Sequence, residues 1–276
     1  MEFQTICYSV ENGVARLTMN RPKVRNGLND QMARELREAV RLAVTDAQVR
    51  TLLLTGSGSA FCSGADLGNV DTSFDPACRA AQSESSLRFV RDAINPLMIS
   101  LHHCPKPVVA AVNGPVVGGG IGLALAADIV VATESARFLP KFTPLLALIP
   151  DLGCTWMLPR LIGRARTLGL SMLGETFSAR QAEEWGLIWR CYPDSEFSGA
   201  VDELTAQLAR GPIFALAAVK TAIRESAHTD YDQQLLREME LSAQCVATAD
   251  FAEGAAAFLS KRPPVFGSSG NTDCEN

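Results

Sequence analysis

Pro107-Val108-Val109-Ala110-Ala111-Val112-Asn113-Gly114-Pro115-Val116-Val117-Gly118-Gly119-Gly120 is the stretch that decides the fold. A short apolar run predicts a strand, Asn113-Gly114 a turn, and the three glycines the opening of a helix over Ile121 to Ala127. A further strand is expected at Ile129 to Ala132, which completes a strand-helix-strand unit. Upstream, Val14 to Met19 alternate like a strand and stop at Asn20-Arg21-Pro22. Asn29 or Asp30 then caps a helix reaching about Val44, whose Met32, Leu36, Val40 and Ala43 share one face. Thr51 to Thr55 is the next strand. Strands alternating with helices point to βαβ units with helices packed on a sheet.

From about Leu158 the pattern turns helical: Arg164 to Leu173, Ser178 to Trp185 with Ser178 as N-cap, Gly199 to Arg210, Ile213 to Ser226, Asp230 to Thr248 and Asp250 to Leu259. The expected organisation is an α/β core over 1–195, a helical C-terminal region over 196–266 and a polar tail over 267–276. Segment 68–86, rich in Gly, Asp, Thr, Ser, Asn and Pro, reads as a long mobile loop.

Composition narrows the chemistry. The chain has 276 residues, 47% of them hydrophobic and 20% charged, which suits a globular core and argues against disorder. A net charge of −5 offers no global field for nucleic acid or an anionic membrane. The three histidines include the neighbours His102 and His103, read as a helix end before Pro105, and the eight cysteines show no metal-ligand spacing. No metal is expected. Scattered thiols, an acidic N-terminus without a leader pattern, and no apolar run near 18 residues suggest a soluble, cytoplasmic protein without membrane contact.

Two glycine-rich turns follow strands. Gly56-Ser57-Gly58-Ser59-Ala60-Phe61-Cys62-Ser63-Gly64-Ala65-Asp66 has Phe61 where a dinucleotide fingerprint needs its third glycine, and no Gly-Lys-Ser/Thr phosphate loop occurs. The Gly118-Gly119-Gly120 turn opens a helix, whose first N–H groups are unpaired and partially positive. Such a site suits a developing oxyanion, although for either turn taken alone close helix-to-sheet packing through glycine is the simpler explanation.

Taken in order, Asn20-Arg21-Pro22, Ala60-Phe61-Cys62-Ser63-Gly64-Ala65-Asp66, Asn113-Gly114, Gly118-Gly119-Gly120, Asp128, Ile149-Pro150-Asp151 and Leu158-Pro159-Arg160 resemble the crotonase (enoyl-CoA hydratase/isomerase) superfamily. The resemblance continues to Glu253-Gly254 and Ala257-Phe258-Leu259-Ser260-Lys261-Arg262. It implies a crotonase-like spiral of ββα/βαβ turns, a helical C-terminal trimerisation region, assembly as a homotrimer or dimer of trimers, and a coenzyme A thioester as substrate rather than a bound cofactor. It also implies an oxyanion hole made by the backbone N–H groups of Ala65 and Gly119. For coenzyme A binding it implies Ser63, Gly64, Asp66 and Leu67 around the first turn, Gly118 in the second, Arg25 near the phosphates, and Phe258 and Lys261 from a neighbouring subunit.

The acid/base positions set this chain apart within the superfamily. Hydratases resembling it carry one glutamate where Gly122 stands and another where Phe142 stands, so both carboxylates are missing. Asp151 remains, matching the catalytic aspartate of several isomerases and of the dehalogenase branch. A single base suffices for a 1,3-proton shift, and an apolar pocket walled by Phe142, Leu139, Leu145 and Leu148 would raise its pKa. The competing reading makes Asp151 the cap of a helix starting near Gly153. Ala136-Arg137-Phe138, Phe142 and Leu148 to Arg160 further resemble the ring-1,2-epoxyphenylacetyl-CoA isomerase group. The Phe138 to Asp151 segment is one residue longer than in that group, and Cys154 replaces a glycine. The expectation is an acyl-CoA isomerase acting on an enoyl double bond or a ring epoxide. A hydratase using Asp151 with water and a non-catalytic CoA-binding paralogue are the alternatives.

Overall fold

The computed structural model describes residues 3–68, 70–73 and 75–267. A hairpin of β1 (Ile6–Glu11) and β2 (Val14–Met19) leads through α1 (Asp30–Thr45) to β3 (Thr51–Gly56). Asn29 Oδ1 accepts from Met32 N–H and starts α1, which buries Met32, Ala33, Leu36, Ala39, Val40 and Ala43. Next come α2 (Pro76–Phe89), a wide turn over Val90–Ile94, α3 (Asn95–His102) and β4 (Val108–Val112). Strand β5 (Val116–Val117) runs straight into α4 (Gly119–Leu125), followed by β6 (Ile129–Thr133), β7 (Arg137–Leu139) and the short α5 (Thr143–Leu146). Helices α6 (Cys154–Ile162) and α7 (Arg164–Leu173), β8 (Phe177–Ser178), α8 (Ala179–Glu184) and β9 (Arg190–Tyr192) precede the C-terminal α9 (Phe197–Ala209), α10 (Ile213–Ser226), α11 (Tyr231–Val246) and α12 (Ala249–Leu259).

The main sheet has the order β1-β2-β3-β4-β6-β9, antiparallel only between β1 and β2. Its register aligns Leu17, Leu54, Ala110 and Val130 across four strands, all buried on the face covered by α1 and α3. On the opposite face Leu53, Val109 and Val131 pack with Val201 of α9. Strands buried on both faces explain why Leu52 to Leu54 and Val108 to Val112 read as unbroken apolar runs. Helix α9 thus completes the core, although it lies in the 196–266 segment. A second sheet, β5-β7-β8, carries Phe138 stacked on Phe177 at 5.1 Å and holds the start of α4 in place.

The expectation of a long loop over 68–86 is corrected by α2. Asp75 Oδ2 accepts from Cys78 N–H and Pro76 occupies the first turn, so the helix is well capped. None of its residues is buried, so no apolar stripe announces it. Ser178 caps α8 as expected, with Gln181 closing a capping box. Asn69, Phe74 and residues 268–276 of the expected tail lie outside the described residues. Among the described residues, no helix is long and apolar enough to cross a membrane.

Candidate active site

The two glycine turns are stitched together by main-chain hydrogen bonds. Phe61 N–H donates to Pro115 O (3.1 Å) and Val117 N–H to Cys62 O (2.9 Å), while Gly118 N–H donates to Leu139 O of β7 (2.9 Å). Leu28 holds the other side of the first turn, donating to Gly64 O (2.8 Å) and accepting from Asp66 N–H (2.9 Å). Between those bonds the Ala65 N–H has no acceptor among the described residues, and neither has the N–H of Gly119 at the first position of α4. A Cβ built on Gly64 would lie 2.9 Å from Val117 O and 3.5 Å from Gly119 N, so the turns approach closely. Gly64 has φ +84° and Gly118 φ +52°, which an L side chain adopts at a cost. Two N–H groups without an acceptor thus stand on closely approaching turns, one of them at a helix start where the backbone is partially positive.

Asn26 underpins this geometry and went unrecognised in the sequence. It is fully buried, its Oδ1 accepts from Arg21 N–H, and its Nδ2 donates to Ser57 O (3.0 Å) and Ala60 O (2.9 Å). Nothing in the spacing of Asn20, Asn26 and Asn29 distinguishes it as the buried one. Arg21 in turn pairs with Asp66 at 2.7 Å. The Gly68 N–H, followed by the Arg21 guanidinium, holds the Asp66 carboxyl below the usual aspartate range. Asp66 therefore braces the turn with its side chain, while its neighbours Ser63 and Leu67 are half-buried and exposed respectively.

Asp151 lies beside Gly119. A Cβ on Gly119 would sit 3.3 Å from Asp151 Oδ1, and that oxygen is buried without a hydrogen-bond partner. Burial pushes the Asp151 carboxyl above its ordinary range. The helix-cap reading is corrected: Gly153 (φ +79°) is the residue before α6, no side chain caps that helix, and only Asp151 O accepts from Cys154 N–H. Leu152 fills the space next to Asp151. A Cβ on Gly122 would meet Leu152 O at 2.4 Å and Leu152 Cβ at 2.7 Å, so the position of the missing glutamate is occupied by main chain. Phe142 is buried and approaches Gly118, its Cε1 3.7 Å from a Cβ there. Leu145 of α5, a helix that buries none of its residues, and Leu148 just beyond it are in contrast 69% and 51% exposed.

Arg25 is exposed and touches the site through its carbonyl, which accepts from Ser63 N–H at 2.9 Å. Phe258 and Lys261 are exposed at the end of α12, and no hydrogen bond among the described residues joins them to the glycine turns. Cys62 and Cys154 are buried thiols whose pKa values burial pushes up to about 12, which makes them packing groups.

Residues 9–269 match the family described as enoyl-CoA hydratase/isomerase. The chain is 44% identical over 266 residues to the 1,2-epoxyphenylacetyl-CoA isomerase of Escherichia coli K12, covering 96% of this chain and 98% of that protein. It is equally 44% identical to a probable enoyl-CoA hydratase of Rhodobacter capsulatus, covering 96% and 99%. A solved structure from Mycobacterium abscessus, titled as a putative enoyl-CoA hydratase/isomerase, superposes with a TM-score of 0.86 at 33% identity, over 96% of this chain and 100% of that one. Matching sequence along almost the whole chain, and the same fold, make this protein a member of the enoyl-CoA hydratase/isomerase (crotonase) family.

Proposed function

We propose that the protein is an acyl-CoA isomerase in which Asp151 is the single acid/base group and the Ala65 and Gly119 N–H groups form the oxyanion hole. The observation that carries this reading is the orphaned, buried Asp151 Oδ1 beside Gly119, with Leu152 main chain filling the place of a second acid at Gly122. With a thioester oxygen on the two N–H groups, the Asp151 carboxylate removes a proton from the acyl chain. The electron pair delocalises onto that oxygen, and the same carboxyl returns the proton to another carbon. No proton is gained or lost overall, so one carboxyl closes the cycle. The scheme uses the coenzyme A thioester as substrate and calls on no cofactor.

The substrate is an enoyl-CoA, or a thioester whose ring epoxide isomerises, as the name of the Escherichia coli relative suggests. Backbone from Ser63 to Leu67 and Gly118 would pass the pantetheine, Arg25 would meet the phosphates, and Phe258 and Lys261 would close the site from a neighbouring subunit of a trimer or dimer of trimers. The Rhodobacter capsulatus relative keeps a hydratase reading in play, with Asp151 activating water.

Incubation with a 3-enoyl-CoA and a 2-enoyl-CoA in heavy-oxygen water separates the two. Double-bond migration without label in the product is the expected result. Label uptake without migration would replace the isomerase by the hydratase. Binding of both thioesters without turnover would leave a CoA-binding protein. Asp151→Asn is expected to abolish turnover while retaining binding.

A further inference from the structure

A cleft of about 200 Å³ opens next to the candidate site and shares one wall with it. Met98, Ile99 and His102 of α3 line it together with Trp156, Met157 and Leu152. Its surface is largely apolar: His102 stands edge-on to Trp156 at 5.7 Å, and burial holds the imidazole below its usual pKa, towards the neutral form. Leu152 belongs to both surfaces. Its Cδ1 and Cδ2 lie 3.2 and 3.4 Å from a Cβ on Gly119, as near to that glycine as Asp151 Oδ1.

That placement constrains any acyl group. Its oxygen must reach the Ala65 and Gly119 N–H groups and its exchanging protons must reach Asp151, so the reacting carbons lie against the Leu152 side chain. Atoms further along the chain have to pass it. Leu152 cannot simply withdraw, because its main chain is lodged against Gly122 and its φ is +48°, a conformation held by the surrounding packing.

We propose that Leu152 is the specificity-determining residue of the acyl compartment: it ends that compartment beside Asp151, admits compact acyl groups, and separates them from a cleft shaped for the apolar tail of a longer one. The inference rests on the acyl-CoA reading of the site. Truncating Leu152 joins the two spaces, and the tail then gains apolar burial in the cleft.

Calorimetric titration with saturated butyryl-, hexanoyl-, octanoyl- and decanoyl-CoA, which bind without reacting, tests this. In the wild type, affinity is expected to level off among the short thioesters. In Leu152→Ala it should keep rising with length, by up to about four-fold for each further methylene buried. Leu152→Met, which conserves volume, should keep the wild-type profile, and its melting curve controls for folding. Adding Ile99→Trp to Leu152→Ala refills the cleft from an exposed position and should restore the plateau. An affinity that climbs to decanoyl-CoA in the wild type, or identical profiles in wild type and Leu152→Ala, would overturn the partition. So would a gain in Leu152→Ala that survives Ile99→Trp. If no form binds any acyl-CoA, the acyl-CoA reading itself falls and this inference with it. Turnover of a 3-enoyl-CoA combined with unchanged length profiles removes this inference alone.

Discussion

Asp151 contributes the only buried carboxylate oxygen without a hydrogen-bond partner among the described residues, and that has two opposite consequences. As a base it must be ionised, and burial raises its pKa above the ordinary value of about 3.9. If Asp151 is the base of the proposed isomerisation, its kcat/KM should increase with pH through an inflection above the normal aspartate range. As a contributor to stability its sign is reversed. Between the unfolded and the raised folded pKa the native state binds more protons, so stability falls as pH rises across that window. Asp151→Asn should accordingly unfold at a higher urea concentration than wild type at neutral pH, with the advantage disappearing below the unfolded pKa. A neutral-pH loss of stability in Asp151→Asn would contradict the burial argument. The glycines have their own signature. Gly64→Ala puts a Cβ 2.9 Å from Val117 O at φ +84° and separates the Ala65 and Gly119 donors. Loss of one donor costs about 2.7–4 kcal/mol of transition-state stabilisation, so kcat should drop about 10²–10³-fold, whereas thioester affinity should change much less.

At the scale of elements, α10 is tied to the core by a largely buried cation. Lys220 of α10 pairs with Asp128 at 2.6 Å and donates to Cys104 O and Lys106 O, with only 11% of its side chain exposed. Asp128 also accepts from Val108 N–H, so α10, the end of α3 and β4 meet at this pair. Lys220→Met would strip the Asp128 carboxylate of its ion-pair partner and leave Cys104 O and Lys106 O without their donor, so stability in urea unfolding should fall by about 1–3 kcal/mol. The double change with Asp128→Asn should cost clearly less than Lys220→Met alone, because the stranded charge is gone. Which elements the sequence foretold follows the same physics. Helix α1 and strand β4 were legible because burial imposes periodicity or an apolar run on them, and α10 lies at its expected bounds. Helix α2 stayed hidden because it buries nothing, and β5 and β8, two residues each, are too short to carry a pattern. The site shows the same division. Gly64 and Gly118 to Gly120 were marked by their own spacing and Asp151 by family resemblance. Asn26 and Leu152 act through contacts distant in sequence, and no local signal marks either.

The whole molecule presents apolar side chains that a single chain leaves uncovered. Leu145 is 69% exposed and Ile149 76%, both in the segment between Phe142 and Asp151, and Phe258 and Leu259 at the end of α12 are 83% and 81% exposed. A monomer of this size carries scattered apolar residues, but large side chains exposed to this extent fit a surface that another subunit covers. A solution mass of three or six times 29.6 kDa is expected, and a mass of 29.6 kDa alone would count against the trimer. Mass does not say whether subunits share a site, but complementation does. If Lys261 reaches the coenzyme A moiety of a neighbour, Lys261→Ala should raise KM for the thioester while leaving kcat nearly unchanged. Asp151→Asn should abolish kcat. Co-expressing the two variants then creates interfaces where an intact Asp151 faces an intact Lys261, and a fraction of sites should regain the wild-type KM. Sites completed within one chain would gain nothing from mixing, because every chain carries one defect. Mixed oligomers showing only the Lys261→Ala kinetics, at reduced total rate, would place Lys261 with its own subunit's Asp151 or outside the site altogether.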